Sequence, residues 1–210
     1  AHGRPGEALA WLDRAPGRHE SEVVRHTDLR IAALDALGRR EEAQALRWAA
    51  FQRWLMPQHL RPYLRHLPDF DDVDAEDQAM AHALAHPDRI QALSFLIGWP
   101  NLEAANRLVR AHHGEMDGRD YSRLRPASEA LAERYPVAAT LLHRILAEDV
   151  LRRASSRQYG YAVRDVRACT SLASRLPAEP GLESHDDFLA RLRREHGRKV
   201  GFWTLLEGRI

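Results

Sequence analysis

The chain has 210 residues, 44% hydrophobic, 29% charged and 7% aromatic, a balance that excludes disorder and leaves ample material for a core. Thirty-one basic against thirty acidic residues leave a net charge of +1, so there is no general pull toward nucleic acid or anionic membrane. One cysteine, Cys169, excludes an intrachain disulfide framework and a cysteine-based zinc finger, and no apolar run reaches transmembrane length.

The chain opens on Ala1 rather than on methionine and without a secretory signal, which leaves open whether residues precede it. Glycine and proline punctuate it at short intervals, at Pro5-Gly6, Pro16-Gly17, Pro57, Pro68, Pro87, Gly98 with Pro100, Pro126, Pro136, and Pro177 to Gly181. Between them no stretch alternates apolar and polar residues with β-branched enrichment, so no strand is predicted. Ten to twelve helices of about 10 to 18 residues, joined by short turns, are predicted instead: an all-α fold.

Near the start, Gly3-Arg4 followed by Glu7-Ala8 recurs 35 residues later as Gly38-Arg39 followed by Glu42-Ala43. Ala10 and Ala45, then Ala15 and Ala50, keep that offset, and Gly98 with Glu103-Ala104 forms a third, slipped copy. Glycine would turn the chain between helices, and small alanines would let those helices approach closely. Trp48, Phe51 and Trp54 lie three apart, a spacing that suits a core stripe, or else a stacking platform or partner groove.

From Asp69 to Asp77 six of nine residues are acidic, and most would load a helix N-terminus, where the dipole favours anions. The glycine and closing glutamate of a calcium loop are missing there. His82 and His86 are four apart, as two zinc ligands on one helix face would be. However, Ala83 stands where a metalloprotease needs glutamate, and Pro87 ends the helix at once. His112 and His113 are adjacent and would point different ways from a helix.

A helix is predicted to open at Pro136 and to carry Leu141, Leu142, Ile145, Leu146 and Val150. Another is predicted from about 159 to 176, its apolar face traced by Ala162, Val166, Cys169, Ala173 and Leu176. Cys169 on that stripe reads as a small core residue rather than a nucleophile. Phe202, Trp203, Leu205 and Leu206 form an apolar last helix after a stop at His196-Gly197, suited to cap a helical array or to serve as a docking patch.

Residues 136–210 hold thirteen basic and nine acidic residues, net +4, against −3 for 1–135. Lys199 is the only lysine, so nearly all the positive charge is arginine, as a GC-rich coding genome would produce. No nucleophile elbow, phosphate-binding glycine loop or Cys/His metal spacing occurs. No catalytic, cofactor-binding or metal-binding residues are assigned, no cofactor is expected, and the partner-binding residues stay unassigned.

Leu34, Leu37, Gly38, Glu42, Ala43 and Ala50 resemble the tetratricopeptide helix pair, whose period is about 34 residues. Further on, Pro136 to Leu146, Ser156 to Ala162, His185, and Arg191 to Trp203 resemble an uncharacterised bacterial family of helical proteins, a domain of unknown function. The likeness starts near residue 88, takes in Ala92 to Ala104, and runs to 210. It includes a kinship to the helical tails of some SWIM zinc-finger proteins. That resemblance implies a helical-repeat protein and hands over no catalytic residues. The SWIM cysteine and histidine ligands are absent, so zinc and DNA binding do not carry over.

The expected organisation is tetratricopeptide-like helix pairs over 1–56, further helical hairpins over 57–135, and a C-terminal region with its cap over 136–210, stacked as one array. The expected function is a non-catalytic, cytoplasmic scaffold or adaptor for a protein or peptide partner. The alternative is a nucleic-acid-associated helical module using the arginines between 144 and 199. Salt would separate them, since phosphate contacts weaken steeply as salt rises.

Overall fold

The computed structural model describes residues 4–14, 17–153 and 156–208. Gly3 and Ala15 of the recurring pattern, together with Ala1 and Pro16, lie outside the described residues. Twelve α-helices and four short 3-10 turns, with no strand, form the described residues. The all-α class is therefore the one the chain adopts. Its helices are α1 (Pro5–Arg14), α2 (Glu20–Ala36), α3 (Arg40–Trp54), α4 (Pro57–Arg65), α5 (Asp71–Ala85) and α6 (Arg89–Gly98). They continue with α7 (Leu102–His112), α8 (Tyr121–Leu131), α9 (Pro136–Arg152), α10 (Tyr159–Leu172), α11 (His185–His196) and α12 (Val200–Glu207).

The helix starts follow local chemistry. Proline opens α4 and α9, where its missing N–H costs nothing. Asp88, Asn101 and Ser184 each accept a backbone N–H in the first turn of α6, α7 and α11. The acidic run behaves as its charge predicts: Asp71, Asp72 and Asp74 occupy the first turn of α5. Gly38 ends α2 at φ +72°, and the amide of Arg39 returns to the Leu34 carbonyl at 3.0 Å, closing the helix as a left-handed cap.

The chain divides into two compact units, Ala1–His86 and Pro87–Ile210. The boundaries expected after residues 56 and 135 fall inside these units. In the first, each helix from α1 to α5 packs on the next, and α3 also meets α5. Leu9, Ala33, Leu34 and Ala43 form one core cluster; Phe51, Trp54 and Leu55 are also buried. Trp48 is half-buried, its ring 5.1 Å from that of Tyr63. The aromatic stripe is core.

Polar ties sit among these apolar contacts. Buried His59 meets Asp28 at 2.8 Å, and buried Arg47 pairs with Asp35. The 35-residue recurrence has a physical counterpart here. Arg4 pairs with Glu7 across the start of α1, and Arg39 pairs with Glu42 across the start of α3. Both helices begin one residue after the arginine.

The second unit is organised around α9, twelve of whose seventeen residues are buried. It packs against α7, α8 and α10, while α6 meets α7 and α8, and α10 meets α12. Ala147, Val150 and Leu151 of α9 join Tyr159, Ala162, Val163, Val166, Phe188, Leu192, Phe202 and Trp203 in one apolar cluster. The last helix thus docks into core rather than presenting a patch. No helix among the described residues is long and apolar enough to cross a membrane.

Candidate functional site

A cleft of about 870 Å³ runs along α9 in the second unit. Val137, Leu141, Arg144, Ile145, Glu148 and Arg152 line it at three- and four-residue spacing, the stripe one face of a helix presents. One wall is the stretch His113–Arg119; the other is Glu179–Glu183 with Arg191. Gly118 is required in the first wall. A Cβ there would come within 2.4 Å of the Asp149 Cβ and 2.8 Å of the Ile145 carbonyl oxygen, so only glycine lets this turn rest on α9.

Ion pairs hold the second wall in place. Arg110 of α7 reaches Glu179 at 2.6 Å. Arg191 of α11 donates to Glu183 at 2.8 and 2.9 Å and to Glu148 of α9 at 2.8 Å. Arg144, buried, donates to the Glu183 and Ser184 carbonyls and lies 4.6 Å over the Phe188 ring. Hydrogen bonding from Arg191 holds the Glu183 carboxyl below the usual range, and the same bond raises the pKa of Arg191. Burial pushes Arg144 the other way, lowering it, because a charged guanidinium loses its water there.

Four of the six arginines lining the cleft are thus committed: Arg110, Arg144, Arg191, and Arg153, which pairs with Asp149. Arg119 and Arg152 are exposed and make no ion pair with another described residue. The cleft is electrostatically mixed: its six arginines share the described lining with Glu115, Asp117, Glu148, Asp149, Glu179 and Glu183.

Beneath the surface lies a second polar group. Asp165 of α10 is fully buried, clasped by both terminal nitrogens of Arg125 of α8 at 2.9 and 3.0 Å. Nδ1 of His143 on α9 lies 2.9 Å from the same carboxylate. Three helices are therefore tied through one carboxylate in a low-dielectric core, where such a group needs partners. Sequence reasoning missed this set, although a signal existed: Asp165 falls on the Ala162–Val166–Cys169 stripe, where a charge cannot be solvated.

The other candidates fall elsewhere. Cys169 is fully buried, its thiol 3.8 Å from the Thr140 carbonyl oxygen, and burial pushes its pKa up to about 12. Such a thiol is protonated at neutral pH and inaccessible, which suits packing and not nucleophilic attack. His82 and His86 sit on the end of α5, rings 6.1 Å apart, with His82 Nε2 2.8 Å from the Gln52 carbonyl oxygen. His112 Nδ1 meets Glu115 at 2.8 Å, whereas His113 lines the cleft. Among the described residues no group of three or more His, Cys, Asp or Glu is placed to hold a metal. Arg152, Arg153 and Arg157 are all exposed, and Arg153 is already paired with Asp149.

Two histidines at the edge of this region predict a pH response. Burial lowers the pKa of His185, beside Arg144, and that of His196, beside Lys199, below the ordinary 6.5. In the pH range below 6.5 the unfolded chain holds more protons on these rings than the folded chain does. Stability is therefore lost as pH falls from 6.5 toward the depressed folded values. Urea denaturation at about pH 7.5 and about pH 5.5 is expected to show a lower midpoint in acid, and His185→Gln with His196→Gln should shrink the difference. An unchanged difference in that double variant would refute the assignment.

No curated protein and no solved structure matches the chain. A family model does match, over residues 1–205, nearly the whole length. By that match, the chain whose cleft and buried carboxylate are described above belongs to the family of unknown function DUF6880.

Proposed function

We propose that this protein is a non-catalytic, cytoplasmic helical-repeat scaffold that takes an acidic segment of a protein partner into the cleft along α9. The observation that carries this reading is the division of the cleft's arginines. Four carry ion pairs, three of them to the second wall, while Arg119 and Arg152 make no ion pair with another described residue. A carboxylate-bearing peptide would supply what these two lack, through charge-assisted hydrogen bonds. The braced walls would cut the ordering cost of docking.

The repeat part of the reading draws on two features. One is the Arg–Glu clasp at the openings of α1 and α3, which suits a tetratricopeptide-like pair. The other is packing within the second unit between nearest and next-nearest helices, as stacked hairpins have. Kinship to the helical tails of SWIM proteins belongs to the same reading and brings no zinc or DNA binding with it.

The test captures partners from source cells on the full chain and on an Arg119→Ala/Arg152→Ala variant, with crosslinks mapped by mass spectrometry. The expected result is a partner crosslinked through an acidic segment to the walls of the cleft and weakened about tenfold or more in the variant. Partners indifferent to the variant, or crosslinks confined elsewhere, would overturn it. Capture of nucleic acid with a steep salt dependence would instead favour the nucleic-acid module.

A further inference from the structure

A second, smaller pocket of about 470 Å³ lies on the other flank of α9, in the groove between α8 and α10. Its apolar lining is buried Leu146 and Val150 of α9, together with Pro126 of α8. Arg125, also in the lining, spends two of its N–H donors on buried Asp165, so its guanidinium is fixed from below. Tyr121 and Tyr161 line the pocket from α8 and α10, 62% and 56% exposed. Large rings left this open beside a concave site are poor use of apolar surface unless something covers them.

The charges point the same way. Arg164 lines the pocket from α10, one turn after Tyr161, and makes no ion pair with another described residue. Arg153 lines it too and offers the donors that its pair with Asp149 does not use. Glu129 is the one carboxylate among the described lining residues. Donors therefore outnumber acceptors around an apolar floor flanked by aromatic rings. A volume of this size is that of a small-molecule site, with few polar groups to fix orientation.

We propose that this pocket binds a small planar aromatic anion, a ring carrying a phosphate or a carboxylate. The ring packs against Leu146, Val150, Tyr121 and Tyr161, and the oxyanion is held by Arg164 with Arg153. Phosphate and carboxylate share this recognition chemistry, because a guanidinium pairs with either through two parallel N–H donors. The site is separate from the docking of an acidic segment proposed above, although Gly118 and Arg153 line both cavities.

Calorimetric titration of the full chain with adenosine monophosphate and, separately, with 2-naphthoate tests the assignment. One or both should bind at one site per chain with a Kd on the order of 1–100 μM. Adenosine, naphthalene or inorganic phosphate alone should bind at least about tenfold more weakly. Binding of the nucleotide alone names phosphate as the source; binding of naphthoate alone names carboxylate. Arg164→Gln and Tyr161→Ala, both at exposed positions, should each weaken binding about tenfold or more, and Arg107→Gln on α7 should leave it unchanged. In the wild-type protein, the ring NMR signals of Tyr121 and Tyr161 should shift during the titration. No saturable binding of either probe up to about 10 mM, or binding that ignores Arg164→Gln and leaves both tyrosine signals still, would overturn the proposal.

Discussion

Trp203→Ala is expected to destabilise the second unit by about 3–5 kcal/mol, because the ring is core and not a patch. Trp203 is 8% exposed and meets Phe202 edge-on at 4.9 Å, with the Arg193 guanidinium 4.4 Å from its ring centre. Its indole N–H donates to the His196 carbonyl at 2.9 Å, across the stop between α11 and α12. Alanine would remove the ring, leave a cavity against Phe202 and take one donor from that carbonyl, which keeps the Lys199 N–H at 3.0 Å. For a cooperative unit of this size the loss corresponds to a fall in Tm of roughly 10–20 °C. Truncation after His196 deletes Phe202 as well, which is fully buried, and should be worse or cause aggregation. Thermal denaturation decides the matter. An unchanged midpoint in Trp203→Ala, with lost partner binding, would make α12 a docking patch after all.

Asp165→Ala should cost a comparable amount, about 3–5 kcal/mol, for a different reason. The carboxylate itself contributes little net stability, since its own desolvation offsets the attraction to Arg125 and His143. Its removal strands a guanidinium that is only 17% exposed and a histidine side chain that is 8% exposed. Leaving a buried charge without its partner is what costs so much. The mechanism predicts a reversal: Arg125→Met, His143→Leu and Asp165→Leu together should recover most of the loss, because no charge then remains to be desolvated. Urea denaturation of the single and triple variants measures both. A single variant within about 1 kcal/mol of wild type would show that the triad is not a structural tie.

The helices themselves were legible in the chain because their causes are local. Pro136 opens α9, Ala162, Val166 and Cys169 trace the buried face of α10, and the acidic residues load the first turn of α5. Each depends on neighbours within about one turn, so spacing along the sequence is enough to find it. The terminal apolar helix was legible too, since Phe202 and Trp203 together in eight residues cannot all stay wet.

What the sequence by itself determined is therefore the all-α class, the positions of α9, α10 and α12, the acidic start of α5 and the reading of Cys169 as core. That Trp203 is buried and not a docking patch came only with the packing. Tertiary structure alone decided which charges are spent and which remain. Arg125 and Asp165 are 40 residues apart, Arg110 and Glu179 are 69 apart, and nothing in their immediate neighbours marks them as partners. Arg152 and Arg153 are adjacent and read alike as surface cations, yet Arg153 pairs with Asp149 while Arg152 lines the cleft and makes no ion pair with another described residue. Periodicity reports which face of a helix is buried, but an ion pair or a cavity depends on which two faces meet, and that is set only when the helices pack.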